Sequence, residues 1–443
     1  MINSVVCRKT KPKYPINLKK MLIWMSAFIP LLCGISTSTA NLASFLELWI
    51  LLFLYNYDEY WVITPVMFIF FPQLILVGES ISLFNVYCIL CVLKLFREVR
   101  MIRFKGNMVI LIQYLLILYA ACINMLWRSA WEGVVLVLQA TSLLCILLSI
   151  KQRSHLNNDI QNIFIITCIN AAIYGVLYKN IVGNFEVTNE VIQYNVRYSG
   201  SSGDPNYMAF YYCIALCYLM YSKRVKPMQV ILGTIALFVA TALTGSLTAL
   251  VVILFIIMIR LFAGKDVKLH IRILVTAVVV ILLSTFIFYL FTDTFEIPLL
   301  ETYKNRILER LDFLGQENSL SNITSGRADL QEMYLNYFFQ QSILRIMFGG
   351  YQINSQGIDS AKALGLGSAA THSTYVDILM TCGLIGFAIF IGSMIFNLIR
   401  YWKNWRLGDD ESLVSLIRTI AAMIFIAGIS VFPGTNYMYF LMM

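Results

Sequence analysis

Apolar stretches of about 17–25 residues follow one another along nearly the whole chain, the length that crosses the hydrocarbon layer as a helix. Short polar or basic segments separate them. The stretches are continuous and do not alternate with polar positions, which predicts membrane-spanning helices and not the strands of a barrel. Spans are predicted at 21–37, 41–57, 60–78, 80–96, 107–126, 131–150, 160–180, 205–221, 226–243, 245–263, 270–292, 373–399 and 416–432. Pro433-Gly434 breaks the last of these, and the tail to Met443 is too short to span alone. The expected fold is an all-α polytopic membrane protein with about 12–13 transmembrane helices. Lys19 and Lys20 before the run from Met21, and the small residues Ser36 to Ala40 after it, fit a cleaved signal peptide. An uncleaved first helix is preferred, because another apolar segment follows at once.

Basic residues test the span count. Arg8, Lys9, Lys11, Lys13, Lys19 and Lys20 precede the first span, and Lys94, Arg97, Arg100, Arg103 and Lys105 follow four crossings later. Successive pairs of crossings then reach Lys151 and Arg153, Lys223 to Lys226, Lys265 to Arg272, and Arg400 to Arg406. Each cluster falls at even parity, so the positive-inside rule puts them, and the N-terminus, in the cytoplasm. The expected organisation is helices one to eleven over 1–292, an extracytoplasmic loop over 293–372 and the C-terminal helices over 373–443. Residues 181–204 and the turn at Thr244-Gly245-Ser246 are expected on the same outer side. A loop as long as 293–372 is usually functional. Ile297, Leu300, Ile307, Leu311 and Leu314 recur at helical spacing within it, and a second helix is predicted from Arg327 to Met347, ending before Gly349-Gly350. Such helices suit a membrane surface or the lid of a cavity.

Composition agrees. Hydrophobic residues make up 59% and charged residues 13% of the chain, with a mean hydropathy of +0.75, more apolar surface than one soluble core could bury. The net charge of +9 sits in loops between apolar runs, so it reads as topology and implies no nucleic-acid partner. Nearly all of the ten cysteines lie in apolar segments. Cys88 and Cys91 have CxxC spacing inside a hydrophobic run and read as packing residues, so no disulfide framework is expected.

Few residues are left for chemistry. His155 and His270 fall in cytoplasmic loops by parity, whereas His372 stands where the long loop enters a span. Its imidazole suits a general base near neutral pH, and the bland alternative is a local hydrogen-bonding role. Arg197 opens the external run Arg197-Tyr-Ser-Gly-Ser-Ser-Gly-Asp204-Pro205-Asn206, where a guanidinium beside glycines and serines suits phosphate oxygens. Asp204-Pro205 also fits a plain helix start, with Asp as N-cap and Pro at the first position. Thr244-Gly245-Ser246 fits a turn with an N-cap, and Ser325-Gly326-Arg327 fits a helix start with a surface arginine. Metal-ligand spacing and nucleotide-binding glycine motifs are absent, so neither a metal nor a cofactor is implied.

Taken in order, Arg197-Tyr-Ser-Gly200 with Asp204-Pro-Asn206, Thr244-Gly-Ser246, Ser325-Gly-Arg327, His372-Ser-Thr-Tyr375 and Gly383-Leu-Ile-Gly386 resemble the O-antigen ligase and polymerase family of bacterial surface-glycan assembly. The resemblance implies a helical fold of the glycosyltransferase C type in the bacterial cytoplasmic membrane, needing no metal. It implies a polyprenyl-diphosphate-linked glycan donor, a glycan acceptor, membrane lipid and other polysaccharide-assembly proteins as candidate partners. Arg197 and Arg327 would bind the diphosphate and His372 would activate the acceptor hydroxyl, with Asp204, Asn206, Ser246 and Tyr375 in support. One departure matters: many relatives carry an arginine after the Thr-Gly-Ser turn, whereas Leu247 stands here, leaving Arg197, Arg306 or Arg310 to compensate. Polymerase is preferred over ligase as the more widely used activity. The rival class is a lipid-linked sugar transporter, which predicts charged residues near the membrane midplane and broken helices.

Overall fold

The computed structural model describes residues 16–57, most of 60–98, 108–127, 130–152, most of 157–221, 227–263, 304, 307–308, 327–350, 353–354, 357–358 and 371–432. The span predicted at 270–292 and the tail from 433 lie outside the described residues. So does the helix predicted over 297–314, apart from residues 304, 307 and 308, which are helical.

The architecture is mostly helical. The first helix, α1 (Ile16–Phe28), passes into a 3-10 segment, Ile29–Gly34. It is followed by α2 (Thr37–Tyr57), α3 (Leu83–Glu98), α4 (Met108–Trp127), α5 (Ala130–Gln152) and α6 (Asn157–Leu177). Then come α7 (Pro205–Tyr221), α8 (Pro227–Leu243) and α9 (Leu247–Ala263). Past the long loop's helices α10 (Arg327–Phe339) and α11 (Ile343–Phe348), the chain forms α12 (Thr374–Arg406) and α13 (Asp410–Ile426). Among the described residues, four helical stretches are long and apolar enough to cross a membrane: Thr37–Asn56, Val109–Leu126, Asp159–Leu177 and Thr374–Arg406. Four apolar helices are shorter: Lys20–Gly34, Leu83–Lys94, Met228–Leu243 and Leu247–Ile259. The chain is therefore an integral membrane protein.

Four elements differ from the sequence pattern among the described residues. Within the span predicted at 60–78, Tyr60–Val62 is a single 3-10 turn and Ile75–Val77 (β1) pairs with Ile81–Ser82 (β2). An apolar run of this length cannot by itself distinguish a straight helix from a bent segment buried against neighbours. Phe68, Phe70, Phe71 and Leu74 are all buried there. The segment before α7, expected on the outer side, is a β-ribbon in its described residues. Ile181–Val182 (β3) pairs antiparallel with Arg197–Tyr198 (β6) around the hairpin Phe185–Thr188 (β4) and Val191–Tyr194 (β5). The last span, predicted at 416–432, begins earlier, because Asp409 caps α13 by accepting from the Glu411 amide at 3.2 Å. That helix ends at Ile426, and 427–432 continue as a turn and irregular chain, with Ile429, Val431 and Phe432 buried.

The helix predicted from Arg327 to Met347 is two helices, since Ser342 is extended (φ −60, ψ 150). The break lets α10 bury Tyr334 and Phe338 against Val376, Leu379 and Met380 of α12, while α11 adds Ile346 to the same cluster from a different direction. A final fragment of the loop, Ile353–Asn354 (β7) with Gly357–Ile358 (β8), forms a short ribbon.

The core lies where α7, α8, α12 and α13 meet α6 and the 60–75 segment. Tyr211, Phe70 and Phe164 interlock there edge to face, with Phe70 and Tyr211 ring centres 4.7 Å apart. A carboxyl group sits mid-span: Glu47 of α2 is fully buried and accepts from Ser26 Oγ of α1 at 2.5 Å. The apolar runs are thus less clean than their average hydropathy suggests.

Candidate functional site

The ribbon before α7 delivers Arg197. Asparagine 180 accepts the Ser199 amide at 3.0 Å and its side chain donates to the Gly200 carbonyl at 2.9 Å, so the segment returns tightly to the top of α6. Gly200 is at φ +60, where a side chain would be strained, and its Cα packs against Gly175 of α6. Arg197 then spans two elements. Its Nε donates to the Thr244 carbonyl at 2.7 Å and a terminal nitrogen donates to Asn206 Oδ1 at 2.8 Å. Asp204 caps α7 by accepting from the Asn206 amide at 2.7 Å. The Thr244-Gly245-Ser246 turn closes through Gly245 at φ +61, with the Arg197 side chain over it, and the Ser246 amide donates to Thr244 Oγ1 at 3.3 Å. Ser246 is buried in this turn. One arginine therefore ties the β-ribbon, the α7 cap and the α8–α9 turn together. Leu247, which follows this turn, opens α9.

The second half of the site hangs on residues 427–432. Arg327, the first residue of α10, donates to the Gly428 carbonyl at 3.1 Å. The Thr374 amide donates to the Ile429 carbonyl at 2.9 Å, and the Val431 amide donates to Thr374 Oγ1 at 3.0 Å. Tyr207 of α7 donates to the Ser430 carbonyl, which joins this half to the first. His372 lies between them in a left-handed conformation, φ +52. For a non-glycine residue that is uncommon, and such conformations persist only when the surroundings enforce them. Here the enforcing groups are its neighbours: Thr371 Oγ1 donates to the buried Asp377 and lies 3.0 Å from Ser430 Oγ, and the Ser373 amide donates to Thr371 Oγ1 at 3.2 Å.

His372 is half-buried. Burial, followed by the nearby Arg327 guanidinium, holds its pKa below the usual histidine value of 6.5, with the Asp204 carboxylate opposing. The imidazole is therefore neutral at neutral pH, with a nitrogen lone pair available. Asp204 and Arg327, far apart in sequence, thus both act on His372. Tyr334 of α10 has its hydroxyl pKa pushed up to about 12 by burial and by Asp377. Among the described residues no group of three His, Cys, Asp or Glu side chains could hold a metal ion.

Of the residues singled out in the sequence, the structure brings Arg197, Asp204 and Asn206 into one hydrogen-bonded set, and His372 within the field of Arg327 and Asp204. Tyr375 is placed otherwise. Its hydroxyl donates to the Met423 carbonyl at 2.9 Å and its ring packs on Phe387 and Phe390, which joins α12 to α13. Arg306 and Arg310 lie outside the described residues. Sequence reasoning missed Thr371, Asp377 and Ser430, the clamp behind His372. The signal was present: an aspartate in the first turn of a membrane helix requires a reason to be there.

The arrangement offers an unprotonated base, a guanidinium close to it and a second guanidinium on an adjoining element. That set can take a proton from a hydroxyl while stabilising an anionic leaving group. Among curated proteins none matches the chain. Residues 230–391 match the family model described as O-antigen ligase, a stretch that runs from α8 through the long loop and His372 into α12. The resemblance read from the motifs is thereby supported for this part of the chain, which is similar to O-antigen ligases, and the match supports activity of the O-antigen ligase and polymerase type.

Proposed function

We propose that the protein is a polymerase of polyprenyl-diphosphate-linked oligosaccharide units in bacterial surface-polysaccharide synthesis. The observation that carries this reading is the half-buried His372, locked in a left-handed turn and held neutral beside Arg327. His372 takes the proton of the acceptor hydroxyl as its oxygen attacks the anomeric carbon. The bond to the diphosphate breaks on the opposite face, so the centre inverts. Negative charge then develops on the diphosphate, where Arg327 and Arg197 stabilise it in a site of low dielectric. Asp204 and Asn206 keep Arg197 in place, and Ser246 closes the turn beneath it. The reaction so written requires no metal. The reading includes a glycosyltransferase C-type fold of about 12–13 spans in the cytoplasmic membrane, with the site on the extracytoplasmic side where a flipped lipid-linked sugar stands.

A ligase that hands finished glycan to a surface acceptor would use the same residues. The surface-glycan profile of cells lacking the protein separates the readings. Polymerase action predicts loss of long chains with single units still attached, whereas ligase action predicts full-length glycan left on its carrier. Glu47, buried mid-span, is the observation that favours a transporter; an unchanged profile would support that class and sink the enzyme reading.

A further inference from the structure

The helix α11 is only six residues long, and apart from Ile346 its large apolar side chains face outward: Ile343 is 79% and Leu344 72% exposed, and Met347 and Phe348 are exposed as well. A soluble loop would not carry four adjacent large apolar side chains uncovered. Two contacts set the height of this helix. Its C-terminal turn packs on Gly383 of α12, where the Gly350 amide donates to the Thr381 carbonyl at 2.9 Å. Counting back about twenty residues, or ~30 Å, from the basic end of α12 at Arg400 puts the opposite hydrocarbon boundary near residue 380. The second contact is Tyr119 of α4, whose hydroxyl donates to the Phe348 carbonyl at 2.6 Å. Tyr119 lies about two helical turns, ~12 Å, inside the end of α4.

The two contacts place the end of α11 between the hydrocarbon boundary and the depth of Tyr119, ~12 Å inside it, and not above the bilayer. The backbone chemistry agrees. Carbonyls and amides at the end of α11 are satisfied by membrane helices and by Arg345, as backbone must be where water is scarce. The apolar face is also continuous with lipid-facing surface, since Leu115 of α4 and Leu384 and Ile385 of α12 are exposed beside it.

We propose that α11 is a re-entrant tip whose Ile343, Leu344, Met347 and Phe348 insert among the acyl chains of the leaflet on the His372 side. The exposed Arg345 among them reaches back to the headgroup level. The tip then anchors α10, which acts as a strut carrying Arg327 at its other end to Gly428. The occupant of the face is bilayer lipid.

The test uses the whole protein in lipid nanodiscs, with an environment-sensitive fluorophore on Leu344→Cys or, as a control in the turn above, on Gln340→Cys. The parent protein labelled in the same way supplies the background from its own cysteines. Quenching by nitroxide on lipid acyl chains should exceed quenching by aqueous iodide several-fold at position 344, with a smaller ratio at 340. Iodide reaching 344 as readily as free dye would overturn the proposal. So would protection from both quenchers, which would mean that protein, such as a second copy, covers the face. Unfolded variants are recognised by comparing their elution and melting profiles with the parent's, and Ile343→Cys then replaces Leu344→Cys.

Discussion

Gly349 and Gly383 meet backbone to backbone: a Cβ added to Gly349 would stand 2.6 Å from the Gly383 nitrogen, and one added to Gly383 would stand 2.5 Å from the Gly349 nitrogen. Both are left-handed, at φ +73 and +69. Gly383 breaks α12 into two helical pieces and frees the Thr381 carbonyl for Gly350, so one break both bends the membrane helix and fixes the loop to it.

Gly383→Ala should therefore combine backbone strain with a backbone clash that no side-chain rotation relieves, costing ~1–3 kcal/mol. Gly392→Ala, further along the same helix with open space around it, should be neutral or slightly stabilising. Thermal unfolding of the purified protein in detergent checks the pair. Equal melting temperatures for the two variants would contradict the contact.

His372 combines a chemical and a conformational demand. Asparagine tolerates φ near +52 but has no basic nitrogen, so His372→Asn should keep the fold and lose transfer by about 10²–10⁴-fold. His372→Val should in addition lower stability, because a β-branched side chain is poorly accommodated there. Activity and melting temperature measured on both variants separate the two demands.

The pH dependence has a defined sign. The folded state holds His372 below 6.5, so the neutral imidazole adds stability that is present above the unfolded value and lost as pH falls through the folded one. Turnover should show an acid limb below 6.5. Asp204→Asn removes the group that opposes the lowering, so the limb should move to still lower pH; asparagine remains a good N-cap, so α7 should persist. Arg327→Gln should move the limb upward in the variant's residual activity. Pre-steady-state rates against pH measure both, and a limb unmoved by Asp204→Asn would contradict the placement.

Arg197 and Arg327 should differ in their response to lysine. Arg197 donates in two directions, to Thr244 and Asn206, which a single ammonium cannot reproduce, so Arg197→Lys should lose both stability and activity. Arg327 is seen on one carbonyl, and Arg327→Lys should cost activity with less change in melting temperature. Equal loss of stability in both would show that Arg327 is structural.

Much of this was legible in the sequence, for identifiable reasons. Long apolar runs announce helices because the bilayer demands them, so α2, α4, α6 and the body of α12 stand where hydropathy put them. Residues 60–78 could not be read, because apolarity says that a segment is buried but not that it is straight. The division of α10 from α11 depends on the α12 surface that Tyr334 and Phe338 fill, which no local pattern encodes. His372, Arg197 and Arg327 could be singled out by type and order. The clamp of Thr371, Asp377 and Ser430 could not, because it joins residues up to 59 apart through side-chain hydrogen bonds. Tyr375 lies within the same motif, and its contacts, to the Met423 carbonyl and to Phe387 and Phe390, join α12 to α13.

The most direct test of the account is transfer by the purified protein in nanodiscs from a synthetic polyprenyl-diphosphate-linked oligosaccharide, with release of polyprenyl diphosphate and product length measured together. The account predicts release coupled to elongation in the parent protein, and loss of both in a folded His372→Asn variant. Transfer by that variant at the parental rate would contradict His372 as the base and the site built around it.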